Sequence, residues 1–230
     1  MCAVKVDAVL HKVEERLPFE DASFDIVLSS MALHWVNNLP GVFSEVRRVL
    51  KPDGVFIGAM PGQETLYELR SSFVLAEQER AGGVGAHVSP LVMISDVGNL
   101  LSGAGFAIPT VDTDPIVIGY PHAARMMEHL QSMGESNASV HMAEGAHFDT
   151  LLAAAATYQS QYGEEDGTVP ASFDIINFIG WSPDSSQPKP LRRGSVPTGF
   201  GARGGGIPEE LQKELDKLAA EGGDSAPELK

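Results

Sequence analysis

The stretch Leu17–Ile57, LPFEDASFDIVLSSMALHWVNNLPGVFSEVRRVLKPDGVFI, decides the fold. It opens on an acidic turn, Glu20, Asp21, Ala22 and Ser23. A short apolar run follows, Phe24–Ser29 (FDIVLS), which is how a strand covered on both faces reads. Leu39–Leu50 (LPGVFSEVRRVL) then places apolar side chains at 39, 42, 43, 46, 49 and 50, the spacing of a helix with one buried face. Pro40 suits the first turn of that helix. Lys51-Pro52-Asp53-Gly54 stops it, because Pro52 cannot continue a helix and Gly54 can take a left-handed conformation at the turn into the next strand. The second strand, Gly54–Gly58 (GVFIG), is again wholly apolar. Strand, helix and strand therefore form a βαβ unit with parallel strands.

Upstream, Met1–Leu10 carries valines at 4, 6 and 9, compatible with a strand whose period slips between Val6 and Val9. Downstream, the patterns predict a helix over 64–80, broken by Gly82-Gly83-Val84-Gly85. A second helix is predicted over 95–104, with Ser95 as its N-cap and Gly103 and Gly105 ending it. Phe106–Tyr120 reads as a strand that Pro115 confines to an edge or breaks. Helices follow over 123–133 and over the Ala-rich 148–162, and the last strand-type run is Ser172–Trp181. From Ser182 to Ile207 the chain is Pro, Gly and Ser with Arg, too polar to offset its own ordering entropy. The expected organisation is one folded portion over 1–181 and a largely disordered tail over 182–230, with a short helix over 208–221.

The 230 residues are 43% hydrophobic and carry a formal net charge of −15. Residues 182–230 hold eight acids and seven bases, leaving 23 acids against nine bases before them. Such a surface opposes nucleic-acid binding, which needs clustered Lys and Arg; the dense basic groups are only Arg47-Arg48 and Arg192-Arg193. Basic partners suit it better than acidic ones. The single cysteine, Cys2, can form neither an internal disulfide nor a thiolate metal site, which favours a reducing interior. The sequence shows no run of about 18 apolar residues, no signal-peptide core and no Arg-rich transit segment.

The acidic turn, the FD-led strand, LHWV after it and VRRVLKPDGV before the second strand resemble the class I S-adenosylmethionine-dependent methyltransferases of the ubiquinone and biotin biosynthesis type. Ala59–Arg70 (AMPGQETLYELR), Met133–Asn137 (MGESN) and Ile179–Trp181 (IGW) are similar to the mitochondrial arginine hydroxylases that assist assembly of respiratory complex I, a methyltransferase-fold family. The resemblance spans roughly 7–200 and implies an α/β, Rossmann-like, doubly wound sheet with terminal antiparallel strands, Val111–Tyr120 and Ser172–Trp181. It also implies S-adenosylmethionine as cofactor, a complex I subunit or assembly intermediate as partner, and placement on the matrix side of the mitochondrial inner membrane, where peripheral contact is compatible with the family. Departures accompany it. The Gly-rich turn after a first strand and the acid ending the next strand, which hold nucleotide cofactors in such sheets, are missing. The expected fold is thus an incomplete class I methyltransferase domain lacking its first βαβ units, on the order of 60 residues. Cofactor binding by this chain is not expected.

In a parallel sheet ligands sit at the carboxyl ends of the strands. His34 and Trp35 lie just past such an end, His34 as a polar contact or proton acceptor and Trp35 as a pocket wall; packing under the following helix is the alternative. Ser29 and Ser30 could present hydroxyl and backbone groups to the methionine moiety, or simply leave room for the chain to turn. Glu14 and Glu15 stand where the family contacts adenine, although the family often has Asp in the place taken by Val13. Glu135, Ser136 and Asn137 form a polar knot that lines a substrate pocket or caps a helix. His122, His129, His141 and His147, with Glu144 and Asp149, lack metal-ligand spacing, so no metal site is expected. No G-x-S-x-G nucleophile motif is present.

Three functions remain in view: an arginine-hydroxylase-like complex I assembly factor, an S-adenosylmethionine-dependent methyltransferase of a quinone or acyl-carrier substrate whose gene model has lost its start, and a non-catalytic assembly scaffold that binds a basic partner.

Overall fold

A computed structural model of the chain describes residues 7–13, 15–80, 82–85, 87–135 and 146–188. The chain divides into two compact units, Met1–Gln187 and Pro188–Lys230. The first holds strands β1 (Phe24–Ser30), β2 (Leu50–Pro61), β3 (Ala107–Tyr120) and β4 (Val169–Trp181). Its helices are α1 (Leu39–Val49), α2 (Tyr67–Arg80), α3 (Ile94–Gly103), α4 (Ala123–Met133) and α5 (Phe148–Tyr162), with a short 3-10 turn over Leu33–Trp35. The sheet order is β1-β2-β4-β3. β1 and β2 are parallel, while β4 runs antiparallel to both β2 and β3. This is the expected βαβ unit joined to a terminal antiparallel pair, with β3 at an edge among the described residues, and Pro115 on it pairs with Asp174.

The Leu17–Ile57 segment is held by one ion-pair network. Arg48 donates to the carbonyls of Leu17 and Phe19 and to the carboxylates of Asp21 and Glu45, and Glu45 accepts the Leu17 N–H at 3.0 Å. The Arg48 guanidinium and the Leu17 amide hold the Glu45 carboxyl below its ordinary value against the opposing effect of burial. The turn between α1 and the sheet differs from the sequence reading: Asp53, not Gly54, takes the left-handed conformation (φ 61°). Gly54 is required for another reason, since a Cβ there would stand 2.9 Å from the Lys51 carbonyl oxygen.

Two apolar clusters make the core. In one, α1 and α3 cover a sheet face through Val42, Phe43, Val97 and Leu101 against Phe56, Met60, Ile176 and Phe178. Phe43, Phe56 and Phe178 meet pairwise at 5.1–5.7 Å between ring centroids. Gly58 faces Phe178 across the β2–β4 ladder, and a Cβ on it would lie 2.1 Å from that ring. The second cluster joins α2, α4 and α5 to the far ends of β3 and β4 through Leu69, Phe73, Met126, Leu130 and Tyr158. Glu68, fully buried in α2, accepts from the Ser172 backbone N–H and hydroxyl, tying α2 to β4.

Several element boundaries move. The helix expected from 64 begins at Tyr67. α3 starts one residue early, with Met93 as its N-cap and its N–H donated to Asp96, so Ser95 lies inside the helix. Residues 7–10 form no strand, and the rest of the Met1–Leu10 reading lies outside the described residues, as do the tail after Pro188 and the 208–221 helix. β1 is not covered on both faces: Ile26 is 56% and Leu28 71% exposed, on the face opposite α1 and α3.

Candidate functional site

β1 ends at Ser30, and the backbone turns through Met31 at φ 50°, a conformation that costs a non-glycine residue about 1–2 kcal/mol. The Met31 N–H is still held by the Ala59 carbonyl of β2 at 2.8 Å, so the strained residue sits on the sheet end. Beyond it the 3-10 turn buries Leu33 in the core, and the next two side chains part. Trp35 is 48% exposed, whereas the His34 side chain is only 4% exposed. The two rings lie 5.0 Å apart.

His34 is fixed from across the chain. α4 ends in the left-handed Gly134 (φ 81°), and the Glu135 N–H returns to the Leu130 carbonyl at 2.9 Å. That cap brings the Glu135 carboxylate to His34 Nε2 at 2.9 Å. An ionised carboxylate only accepts, so Nε2 carries the proton of the bond, and in the neutral ring Nδ1 is then a bare acceptor. Nδ1 is buried and has no hydrogen-bond partner among the described residues. The donor also offsets the unfavourable position of a carboxylate at a helix C-terminus.

Two cavities lie near this pair, one lined by the neighbours Leu33 and Trp35 of His34 and the other by Glu135; His34 itself lines neither. One, of about 640 Å³, is lined by Glu15, Ser29, Ala32, Trp35 and Asn37, among others, and lies at the carboxyl end of β1. It brings together Glu15, Ser29 and Trp35 of the residues selected from the sequence. Ser30 does not line that cavity; it lines a separate one on the sheet with Leu28, Ile57 and Ile179, to which Ser29 also contributes. Glu14, Ser136 and Asn137 lie outside the described residues, as do His141 and Glu144. His122 instead caps α4, its Nδ1 accepting the Arg125 N–H. Among the described residues no three His, Cys, Asp or Glu side chains converge on a metal position.

The second cavity, about 270 Å³, lies among α2, the 87–88 segment, α4 and α5. Leu66, Leu69, Phe73, Met127, Leu130 and Leu151 line it, with Glu135 and His87 as polar members. His87 belongs to a second histidine–carboxylate pair that the sequence did not disclose. Its Nε2 meets Glu77 Oε1 at 2.5 Å, Gly85 N–H donates to the other Glu77 oxygen at 2.5 Å, and the ring stacks on Phe73 at 4.5 Å. Burial pushes the Glu77 carboxyl up, but the Gly85 amide and the His87 ring outweigh it and hold it below its ordinary value. The separation of ten positions between Glu77 and His87 hid the pair, because no helical or strand period links a helix end to a glycine-rich segment.

The larger cavity is also the place to test for S-adenosylmethionine. An exposed indole, the Ser29 hydroxyl, the Glu15 carboxylate and the Asn37 amide are groups suited to an adenosine. It has no glycine-rich run of backbone N–H groups, and its one cation, Lys12, pairs with Glu15 at 3.5 Å. These residues offer one wall of a cofactor site and do not complete it.

A mixed sheet of this order with helices packed on it is a Rossmann-like α/β fold of the kind found in class I methyltransferases. A crystal structure from Bacillus halodurans described as a methyltransferase superimposes with a TM-score of 0.51 over 78% of each chain at 18% identity, a likeness of fold. The family model "Methyltransferase domain" matches residues 2–58. The chain is close in sequence to Arginine-hydroxylase NDUFAF5, mitochondrial, of Danio rerio, at 54% identity over 187 residues, 81% of this chain and 58% of that protein. It is 34% identical over 176 residues to the malonyl-[acyl-carrier protein] O-methyltransferase of Methylovorus, covering 74% of this chain and 55% of that enzyme. The chain thus spans just over half the length of these relatives.

Proposed function

We propose that the protein acts as an arginine-hydroxylase-like assembly factor of mitochondrial respiratory complex I, with His34, Glu135 and Trp35 at its working site. The observation that carries this reading is the His34–Glu135 pair, where an oriented imidazole past the carboxyl end of β1 keeps its second nitrogen without a partner among the described residues. Glu135 fixes the ring, Nδ1 is the acceptor left for a polar substrate group, and Trp35 walls the neighbouring cavity, which the buried His34 itself does not line. The 54% identity to a protein named as a mitochondrial arginine hydroxylase supports the substrate type and a mitochondrial location; placement on the matrix side of the inner membrane rests on the family resemblance of the sequence motifs. The acidic body supports a basic partner, a complex I subunit or assembly intermediate presenting arginine.

Cofactor use is a separate element of the proposal. S-adenosylmethionine fits the fold, with Glu14, Glu15, Ser29 and Ser30 as the residues proposed to face it and Glu135, Ser136 and Asn137 as those proposed to face substrate. Calorimetric titration of the purified chain with S-adenosylmethionine is expected to show no saturable binding, and micromolar binding would overturn that expectation. The function itself is tested in mitochondria depleted of the endogenous factor, by mass spectrometry of complex I subunits after expression of this chain behind a mitochondrial targeting sequence. One oxygen added to an arginine, taken from dioxygen with its second atom reduced to water by an external two-electron donor, and lost on His34→Gln, supports the reading. Unmodified arginine with restored complex I assembly would favour a scaffold instead.

A further inference from the structure

We propose that the cavity among α2, the 87–88 segment, α4 and α5 is the receptor for the arginine side chain of a partner polypeptide, with Glu135 as its counter-ion. This rests on the reading of the protein as arginine-hydroxylase-like and adds to it the place, and the residues, that take the side chain.

Size comes first. About 270 Å³ lies just below the range of roughly 300–1,000 Å³ usual for small-molecule ligands, so the space suits one side chain better than a nucleotide. Its lining is divided in the way an arginine is divided. Leu66, Leu69, Met127, Leu130 and Leu151 offer an aliphatic surface for three methylenes, and Glu135 offers a carboxylate for the head group. A guanidinium has five N–H donors and no acceptor, so its pocket must supply acceptors. Glu135 does so, and His34 behind it holds the carboxylate in place at 2.9 Å.

Planarity comes second. Phe73 and His87 form a stacked pair, 28° from parallel, on the cavity wall. A flat, delocalised cation packs on such a face, which a tetrahedral ammonium matches less well. Glu77 keeps that wall standing. It is 8% exposed, accepts from His87 and from the Gly85 N–H, and so closes the glycine-rich segment that follows α2 onto the helix. Glu77 is therefore a positioning residue, and Glu135 the contact. The charge of the body, 23 acids against nine bases before residue 182, draws a basic segment toward the site.

The test uses the full chain with its methionine methyls labelled with carbon-13 and three tripeptides, acetyl-Gly-X-Gly-amide with X arginine, lysine or citrulline. Citrulline keeps the shape of arginine and removes its charge. The arginine peptide is expected to shift the Met127 methyl resonance saturably and to leave that of the exposed Met93 in place. Lysine should bind more weakly, citrulline about tenfold more weakly or less, and Glu135→Gln should reduce arginine to the citrulline level. Leu151→Trp, at a partly exposed lining position, should block the shift while the melting curve stays that of the wild type, which covers the case of Glu135→Gln failing to fold. Equal binding of arginine and citrulline, or a Met127 shift unaffected by Leu151→Trp, would overturn the proposal. Specific arginine binding without any hydroxylated arginine in mitochondria would sink the hydroxylase reading and leave the receptor; hydroxylation undiminished by Leu151→Trp would do the reverse.

Discussion

Gly58 and Glu77 show how single residues set the two halves of the core. Gly58 looks like a spare small residue at the end of GVFIG, yet the Phe178 ring occupies the space of its missing side chain at 2.1 Å. Gly58→Ala must therefore displace Phe178, which also touches Phe43 and Phe56. Urea unfolding should show a loss of about 1–3 kcal/mol, the usual cost of overpacking a filled core. Glu77 makes a prediction in pH. Its carboxyl is held below the ordinary glutamate value of 4.5, so the folded state favours the ionised form. That contribution is fully present above the unfolded value and is lost as the pH falls through the folded one. Comparing wild type with Glu77→Gln by thermal melting should give a constant deficit near pH 7 that shrinks only below about pH 4.5. A deficit that shrank already between pH 7 and 5 would show that some group other than Glu77 was titrating.

At the scale of elements, β3 is the exposed flank of the sheet. It pairs with β4 alone among the described residues, and Ile116, Val117 and Ile118 are 42–63% exposed along it. Strand edges of this kind recruit other edges unless charge or proline interrupts them, and Asp112, Asp114 and Pro115 stand immediately before the apolar run. Asp114→Val combined with Pro115→Val should leave secondary structure by circular dichroism unchanged and raise light scattering during a slow thermal ramp. The edge position was readable in the sequence from Pro115, and α4 was readable to the residue because its apolar spacing ends on Gly134. The Leu17–Ile57 unit was legible for the same reason, periodicity bounded by turn residues. The site was legible only in part. His34 and Trp35 could be placed at a strand end by the rule for parallel sheets, but the partner of His34 lies 101 residues away, and no local pattern encodes a contact made through two helix caps. The Glu77–His87 pair was invisible for the same reason. Asp53 was misread because a left-handed residue is assigned to glycine by default, whereas here Gly54 is needed for clearance and Asp53 carries the φ of 61°.

For the molecule as a whole, the feature with the widest consequence is the face of the sheet turned away from α1 and α3. Leu28 pairs with Ile57, and Ile57 with Ile179, so the three share a row across β1, β2 and β4. Ile26 lies two residues along from Leu28 on the same face. Leu28 is 71%, Ile26 56% and Ile57 40% exposed. Isolated exposed apolar side chains are ordinary, but a contiguous row on a sheet binds apolar ligands and promotes association. The purified chain should therefore bind the dye ANS while fully folded, and its apparent mass in light scattering should rise with concentration. Leu28→Lys with Ile57→Lys should abolish both effects. Because Leu28 is already largely in water, its substitution should change the unfolding free energy by less than about 0.5 kcal/mol, with a larger loss at Ile57, which is 40% exposed. That combination separates an open face from a loosened core. Dye binding that survived the two lysines, or a large loss of stability on Leu28→Lys alone, would mean that the row is buried in solution and that the acidic body presents a different surface to its partner.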